Sequence, residues 1–287
     1  MLKINGISID QPIKKAIFND NSGLEADSME LVIDTDEIRL FDKNIVYFEN
    51  GNFSSGIMYV DDWAIIGGSL YIYSKKYENE IKKEYVFKDG NFDSIVGEIC
   101  DKEGFEYIGN ANEQYKRYDY IYSKGKSSLG LICELAMLEN KRIKLKGKKL
   151  FIVDIGYEKD IKQVVLSAEN GTYNNYEKIN RLGVLSRGSV GWAKDESVKN
   201  DIEKIIYTYN ADDIYTARRW ARGLLNAENM GKEKVVFDTN TQLTALDKIY
   251  ISGDLAPEDY YMISKVSTDI LKGESTVTAE RMREIAI

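Results

Sequence analysis

Hydrophobic and polar side chains alternate with a period of two over much of the first third of the chain. Ser28–Asp34 alternates in this way, and the pattern is typical of a strand with one buried face. Lys3–Ile9 alternates around Asn5-Gly6, a dipeptide that favours a tight hairpin turn. Because short strand-like runs recur at near-regular spacing, we predict that residues 1–88 form an antiparallel β-barrel.

The hydrophobic period changes to about 3.6 residues after this part, which predicts helices. The first helix should end at Gly104 and the second should follow Ser127. The apolar face of the first helix comprises Phe92, Ile95, Val96, Ile99 and Cys100. That of the second comprises Leu129, Ile132, Cys133, Ala136 and Met137. A predicted hairpin at Arg142–Val153 completes a small α+β unit.

The last part of the chain returns to a β pattern and contains one further amphipathic segment. Asp212-Asp213 is expected to start a helix, since aspartate satisfies the free amides of a first turn, and Gly231 ends it. The apolar face expected from spacings of three and four comprises Ile214, Ala217, Ala221, Leu224 and Leu225. Strand-like runs follow at Lys234–Phe237 and Lys248–Ile251.

The order of these elements predicts a mainly β protein with an α+β insert. We expect a first β-barrel domain at residues 1–88, an α+β domain at 89–155 and a second β-barrel domain at 156–287. The two β domains could share strands. The polar stretch Gly188–Asn200 is expected to lie in an exposed loop, and the helix after Asp213 is expected to pack in the second barrel.

The absence of histidine from all 287 residues narrows the activities to consider. It removes the commonest general base and metal ligand, together with Ser-His and Cys-His arrangements. The net charge of −8 argues against general nucleic-acid binding, which needs a basic surface. No apolar run approaches ~18 residues, and the start MLKINGISID lacks a signal-peptide core. We therefore expect a non-enzymatic protein without cofactor or metal, made in the cytoplasm and not inserted into membranes.

Two sets of residues could still indicate catalysis or nucleotide binding. The acidic pairs Asp34/Asp36, Asp61-Asp62 and Asp212-Asp213 could supply the two carboxylates of a glycosidase, although Asp at turns and helix starts commonly satisfies free amides. Gly125-Lys126-Ser127 lacks the earlier glycine of a phosphate-binding loop. Ser127 is therefore better explained as a helix cap.

Basic residues are concentrated in two places. Lys141–Lys149 holds six basic residues in nine, alternating with Ile143 and Leu145, as on the solvent face of a hairpin; a patch for an acidic partner is the alternative. A second group is expected on the polar side of the helix after Asp213. It is a candidate partner interface, because Arg and Trp commonly anchor interfaces, and a solvated face is its alternative. This group comprises Arg218, Arg219, Trp220 and Arg222.

The order of these patterns across the chain resembles that of a known family. The stretches that carry the resemblance are Ile17–Ile33 with its Gly-x-x-Ala-Asp turn, Phe92–Gly104, Ser127–Asn140, Arg142–Val153, Asn180–Arg187, the Asp195–Asn200 loop, the helix with Ala217 and Ala221, the strand pair that ends at Gly253, Tyr261–Val266 and Ser275–Met282. Together they resemble the phage late-control D proteins, a family of tail baseplate hubs related to the N-terminal hub part of the VgrG spike of type VI secretion.

The resemblance implies a structural hub of a contractile tail. Hubs of this family form homotrimeric rings in which each chain contributes two tube-like β-barrel domains. The implied partners are the tail tube protein, the central spike protein and other baseplate proteins, around a lumen that lets DNA pass without specific binding. The particle would be a phage tail or a phage-tail-like bacteriocin, assembled in the host cytoplasm. A receptor- or glycan-binding tail protein and a carboxylate-dependent peptidoglycan hydrolase are the alternatives.

Overall fold

The computed structural model describes residues 1–23, 26–41, 44–76, 85–109, 117–123, 125–146, 148–155 and 161–283. Within these ranges the fold is mainly β with a small helix-bearing insert, so the predicted fold class is confirmed. Leu24 and Glu25 of the Gly-x-x-Ala-Asp turn lie outside the described residues, as does Gly147 of the predicted hairpin. No helix in the described ranges is long and apolar enough to cross a membrane.

The elements follow one another in three parts. The N-terminal part contains β1 (Leu2–Ile4), β2 (Ile7–Ile9), β3 (Ile13–Asn21), β4 (Ser28–Ile33), β5 (Ile45–Asn50), β6 (Phe53–Ser54), β7 (Met58–Ile66) and β8 (Ser69–Lys75). The insert contains β9 (Val86–Asn91), α1 (Phe92–Glu103), β10 (Glu106–Ile108), β11 (Arg117–Tyr122), α2 (Ser128–Leu138), β12 (Lys141–Lys146) and β13 (Lys149–Asp154). The C-terminal part contains β14 (Lys162–Leu166), β15 (Gly171–Asn175), β16 (Arg181–Ser186), β17 (Ser189–Lys194), β18 (Glu203–Asn210), α3 (Ile214–Met230), β19 (Glu233–Thr239), β20 (Lys248–Gly253), β21 (Asp259–Asp269) and β22 (Glu274–Arg281).

One large sheet connects the N-terminal and C-terminal parts. Its strands follow the order β15-β19-β22-β21-β3-β4-β8-β7-β5-β1-β2, with β20 on β21, β14 on β20 and β6 on β5. The two parts meet at the antiparallel pair β3–β21, where Phe18 lies opposite Thr268. One hydrophobic cluster includes Leu31 and Phe48, and another includes Phe237. Each β part therefore has a core of its own, while backbone hydrogen bonds join the two parts.

Among the described strands, three pairs are parallel, which departs from the prediction of antiparallel sheets. These pairs are β10–β13, β14–β20 and β16–β18. Each is connected by a long stretch of chain that contains other elements, as parallel pairing requires. The alternation of side chains has the same period in both kinds of sheet, so the sequence pattern did not distinguish them.

Helix α3 packs between the insert and strands β16 and β17 of the C-terminal part, and its predicted place in the second barrel remains a prediction. Its buried residues Ala217 and Leu225 share a hydrophobic cluster with Phe92 of α1 and with α2. Gly223 lies where α3 meets the end of α2, and a Cβ there would come within 2.5 Å of the carbonyl oxygen of Leu138. On the other side, α3 packs against the separate sheet formed by β16, β17 and β18. The predicted domain boundaries at 88/89 and 155/156 remain predictions.

Local signals for turns and helix ends predicted their positions correctly. Asn5 and Gly6 have φ values of 51° and 81° in the β1–β2 hairpin, as a tight turn of this type requires. Gly104 ends α1 with φ 74°. Ser127 caps α2 by accepting a hydrogen bond from the backbone N–H of Gly130 at 3.1 Å. These features depend on neighbours within a few positions, which is why the sequence alone specified them.

Two stretches differ from their predictions. Gly188–Asn200 was expected to be a loop, but Ser189–Lys194 forms β17 and pairs with β16. The inward positions of this strand are small residues, Gly191 and Ala193, so its hydrophobic pattern is weak. The buried face of α2 also differs. Its most buried apolar residues are Leu131, Ile132, Leu135, Ala136 and Leu138, whereas the predicted Leu129, Cys133 and Met137 are partly buried. A helix that is apolar on nearly all sides does not reveal its buried face by periodicity.

Candidate partner interface and the cavity beside it

Helix α3 carries the four residues predicted as a partner interface. Asp213 caps its first turn: the backbone N–H of Thr216 donates to the Asp213 carboxylate at 2.8 Å and lowers the pKa of that carboxyl. Arg218 is exposed, as expected of a partner-facing residue. Trp220 is 5% exposed and lies in the core, so its predicted place on the polar side of the helix is wrong. The role of the group as a partner interface remains a prediction.

Glu139 explains why Arg219 and Trp220 are directed inward. The Glu139 side chain is fully buried at the end of α2. One carboxylate oxygen accepts hydrogen bonds from the Tyr118 hydroxyl at 2.5 Å and from Trp220 Nε1 at 3.3 Å. The other oxygen lies 2.8 Å from Arg219 Nε. Since a buried carboxylate is costly without such partners, two of the four predicted interface residues stabilise the contact between α2 and α3.

Arg222, one turn beyond Arg218, lines a cavity of about 470 Å³. Cations reach this cavity from several elements: Arg222 from α3, Lys248 from β20, Arg281 from the end of β22 and Arg283 from two residues beyond it. The Nε atom of Arg222 is buried without a hydrogen-bond acceptor among the described residues. The Lys248 ammonium lies 5.0 Å from the centroid of the Tyr260 ring. Of the four predicted interface residues, Arg222 therefore belongs to a basic cavity.

Next to the cavity, Glu233 fixes two of the arginines that line it. Glu233 is 1% exposed and accepts hydrogen bonds from Arg281 at 2.8 Å and from Arg283. The Tyr173 hydroxyl donates to the same carboxylate at 2.5 Å. Burial would raise the pKa of Glu233, but the hydrogen bonds from these three donors outweigh it and lower the pKa to about 2. This carboxylate therefore stays charged and holds both guanidinium groups in place.

Arg281 is shared between two carboxylates. Besides Glu233, it pairs with Asp259 at 2.8 Å. Burial lowers the pKa of Arg281, but its hydrogen bonds to Glu233 and Asp259 more than offset that effect, so the pKa lies above its usual value. Arg281 is therefore electrostatically balanced within the chain, in contrast to Arg222.

A second buried charge cluster joins the three parts of the chain. Lys144 of β12 is 5% exposed and pairs with Asp20 of β3. Asp20 also accepts a hydrogen bond from the backbone N–H of Ala245 at 2.9 Å. Asp27 lies in the same cluster, 3.6 Å from the Lys76 ammonium. Burial, followed by the negative charge of Asp20, raises the pKa of Asp27 to about 6.

The predicted solvent face of the Lys141–Lys149 hairpin is therefore partly wrong. Ile143 and Leu145 are buried as predicted, but Lys141 is 4% exposed. It pairs with Asp154 at 2.7 Å, as Lys144 pairs with Asp20 on the opposite part of the chain. Both lysines lie where other elements cover the hairpin, and each has a carboxylate partner because an unpaired buried ammonium would be costly.

The acidic pairs considered for glycosidase chemistry have structural contacts. Asp34 pairs with Lys14 at 2.7 Å, and Asp61 pairs with Lys75 at 2.6 Å. Asp212 accepts a hydrogen bond from a backbone N–H at 3.0 Å, and Asp213 caps α3. Among the residues that the structure describes, no group of three or more cysteines and carboxylates could hold a metal ion.

Sequence reasoning missed most of the residues that form the cavity. Arg281 and Arg283 occur two positions apart at the end of a strand-like run, a spacing that places both on one face of a strand. This signal was present in the sequence. Lys248 and Glu233 gave no comparable signal, because their importance depends on strands that are distant in the chain.

Comparisons with known proteins establish the fold. Neither protein-family models nor curated proteins gave a match. A 43 kDa tail protein of prophage MuSo2 from Shewanella oneidensis superposes with a TM-score of 0.75 at 13% identity, over 98% of this chain and 97% of that one. A tail protein from Neisseria meningitidis superposes with a TM-score of 0.74 at 9% identity, over 98% of this chain and 95% of that one.

A third structure belongs to a secretion system. The E. coli c3393 protein, a component of the type VI secretion system similar in structure to the T4 tail proteins gp27 and gp5, gives a TM-score of 0.56 at 11% identity. The alignment covers 99% of this chain and 77% of that one. The chain thus has the fold of phage tail proteins and of this secretion-system component, and the resemblance inferred from its sequence is confirmed at the level of fold.

Proposed function

We propose that this chain is the structural hub of a contractile tail baseplate, in a phage or a phage-tail-like bacteriocin. The observation that carries the proposal is the fold similarity to two tail proteins over at least 95% of each chain. The role is structural: the chain would connect other proteins of the particle and catalyse no reaction. Assembly would take place in the host cytoplasm, followed by incorporation into the tail.

The arrangement of the sheet supports a ring. Each chain contains two β parts, each with a core of its own, and three such chains would give a ring with pseudo-sixfold symmetry. Such a ring would suit a junction between a sixfold tube and a threefold spike. An obligate ring of this kind buries on the order of 2,000 Å² or more at each interface.

Charge supports a central channel in this ring. The net charge of −8 would let DNA pass through the lumen without specific binding, because like charges repel the phosphate backbone. The expected neighbours are the tail tube protein above the ring, the central spike protein below it, and other baseplate proteins around it.

The oligomeric state of the purified chain tests the proposal. Analytical ultracentrifugation with the spike protein of the same particle should give a complex that contains three copies of the 32.8 kDa chain. Negative-stain images should show an annulus. A chain that stays monomeric in the presence of the spike protein would contradict the hub role.

A further inference from the structure

Among the residues that the structure describes, the cavity beside α3 contains more positive charge than its carboxylates balance. Arg281 and Arg283 are paired with Glu233, and Arg281 is also paired with Asp259. Arg222 and Lys248 form no ion pair within the described part of the chain. Within the described residues, Arg222 and Lys248 are therefore left without a carboxylate partner, although the protein has a net charge of −8.

Two guanidinium groups at the cavity also have unused hydrogen-bond donors. The Nε atoms of Arg222 and Arg283 are buried and have no acceptor among the described residues. The Arg283 side chain is 10% exposed, so solvent has little access to its Nε. A buried charged donor without an acceptor costs free energy that a ligand oxygen can recover.

We propose that this cavity binds a carboxylate group, with Arg222 as its main partner and with Arg283 and Lys248 contributing charge and hydrogen bonds. The planar guanidinium group presents two parallel N–H donors that match the two oxygens of a carboxylate. Such a ligand would satisfy the buried donor of Arg222 and neutralise part of the excess charge. This binding site does not depend on the tail role proposed above.

The other residues of the cavity favour a carboxylate over a phosphate. Asp259 lines the same cavity, and its charge would repel a doubly charged phosphate more than a single carboxylate. Ile155, Tyr260 and Met282 supply apolar surface that can contact a carbon skeleton. The volume of about 470 Å³ lies within the ~300–1,000 Å³ typical of ligand sites and exceeds what a bare ion needs.

The carboxylate could come from a free organic acid or from an acidic side chain of another protein. Two probes distinguish these sources: succinate, and an acetylated triglutamate peptide. Binding of each to the full-length chain can be measured by isothermal titration calorimetry at constant ionic strength, with inorganic phosphate as the comparison anion. The Nε–H signals of arginine in NMR spectra show which guanidinium group responds.

We expect both carboxylate probes to bind and to shift the Arg222 Nε–H signal. Tighter binding of the peptide would identify a protein segment as the source, and equal or tighter binding of succinate would identify a free acid. Arg222→Gln should weaken binding by about tenfold or more. Its matched control, Arg218→Gln, changes an exposed arginine of the same helix and should leave the affinity unchanged.

Arg222 makes no hydrogen bond in the described residues, so its replacement should not prevent folding. Should Arg222→Gln fail to fold, Lys248→Gln provides a second variant, with an expected loss of about threefold in affinity. The proposal is overturned if neither carboxylate probe binds, if phosphate binds more tightly than both, or if the Arg222 signal does not change on binding. An equal loss of affinity in Arg218→Gln and Arg222→Gln would also overturn it.

Discussion

Glu233 and Asp27 are both buried carboxylates surrounded by charged groups, yet their pKa values move in opposite directions. Hydrogen bonds from Tyr173, Arg283 and Arg281 outweigh burial at Glu233 and lower its pKa to about 2. At Asp27, burial dominates and the pKa rises to about 6. Several direct hydrogen bonds to the charged form therefore outweigh burial at Glu233, whereas the cations near Asp27 do not outweigh its burial and the charge of Asp20.

The difference between the two clusters comes from how their charges are shared. Lys144 is paired with Asp20, and Lys76 lies 3.6 Å from Asp27, beyond ordinary hydrogen-bond distance. Asp27 also has the negative charge of Asp20 close to it. In the Glu233 cluster, two guanidinium groups and a hydroxyl donate to one carboxylate. Glu233 thus receives direct hydrogen bonds from three side chains, whereas among the described residues only Lys76, at 3.6 Å, forms an ion pair with Asp27.

The two carboxylates therefore have opposite effects on stability as the pH changes. The folded pKa of Asp27 lies above its ordinary value of 3.8, so its stabilising contribution is complete below that pH and is lost as pH rises through about 6. The folded pKa of Glu233 lies below its ordinary value of 4.5, so its contribution is complete above that pH and is lost as pH falls through about 2. We expect the free energy of unfolding to fall at acidic pH because of Glu233, and to fall toward neutral pH because of Asp27.

The largest expected effect follows from removing the charge of Glu233. Glu233→Gln should lower the free energy of unfolding at neutral pH by about 3 kcal/mol, because Arg281 and Arg283 lose the carboxylate that they share and keep only Asp259 and Asp195 as ion-pair partners. Urea unfolding measures this change. The control is Glu203→Gln, since the Glu203 side chain is 49% exposed in its pair with Arg181, and the expected loss is below about 0.5 kcal/mol. Equal losses of unfolding free energy in Glu233→Gln and Glu203→Gln would mean that the hydrogen bonds to buried Glu233 add no more stability than an exposed ion pair.

Asp27→Asn should have a smaller effect of the opposite sign. By removing a charge that is costly to bury, it should raise the free energy of unfolding at about pH 7.5 by on the order of 2 kcal/mol. The dependence of stability on pH between about 4 and 7 should disappear in this variant. Urea unfolding across this range tests both expectations.

Asp34→Asn is the control for this experiment, because the Asp34 side chain is 49% exposed in a surface ion pair. It should retain the pH dependence of the unmodified chain. A pH dependence that persists in Asp27→Asn would show that another group titrates in this range. The raised pKa would then not belong to Asp27, and the difference from Glu233 would not hold.

The two clusters also show what the sequence could and could not predict. The turn at Asn5-Gly6 and the helix start at Asp213 were predictable, because residues within a few positions determine them. The alternation in Ser28–Asp34 likewise predicted β4. Most of the secondary structure, and hence the fold class, depends on local signals of this kind.

The charged contacts depend instead on long-range pairing. Lys144 and Asp20 are 124 residues apart, and Trp220 and Glu139 are 81 residues apart. A lysine in a strand and a tryptophan on a helix give the same local pattern whether they face solvent or a buried carboxylate. For this reason the polar side predicted for this helix holds at the exposed Arg218, whereas Trp220 and Lys144 are buried.

Tyr173→Phe tests the contribution of one donor to Glu233. Loss of the hydroxyl should raise the pKa of Glu233 and reduce the free energy of unfolding by about 1 kcal/mol, because two guanidinium groups still donate to the carboxylate. Tyr176→Phe serves as the matched control, since Tyr176 is 59% exposed. A loss in Tyr173→Phe as large as that in Glu233→Gln would mean that the hydroxyl, and not the arginines, determines the low pKa.

The smallest expected effect is a change in the pKa of Asp27, and it tests whether the charge of Asp20 contributes to the high value. Asp20→Asn removes the second carboxylate of the cluster but keeps an oxygen to accept the Ala245 N–H. The pKa of Asp27 should fall toward its usual range, because the repulsion from Asp20 is lost and Lys144 is released to interact with Asp27. It should remain above its usual value, since burial is the largest cause of the shift.

The carboxyl carbon signal of Asp27 in NMR spectra, followed as a function of pH, measures this change. Asp10→Asn, at an exposed position of the same part of the chain, should leave the titration of Asp27 unchanged. An unchanged pKa in Asp20→Asn would mean that burial alone raises it. The pKa of Glu233 would then be low because of its hydrogen bonds, and that of Asp27 high because of its burial. The negative charge of Asp20 would not contribute to the difference between the two acids.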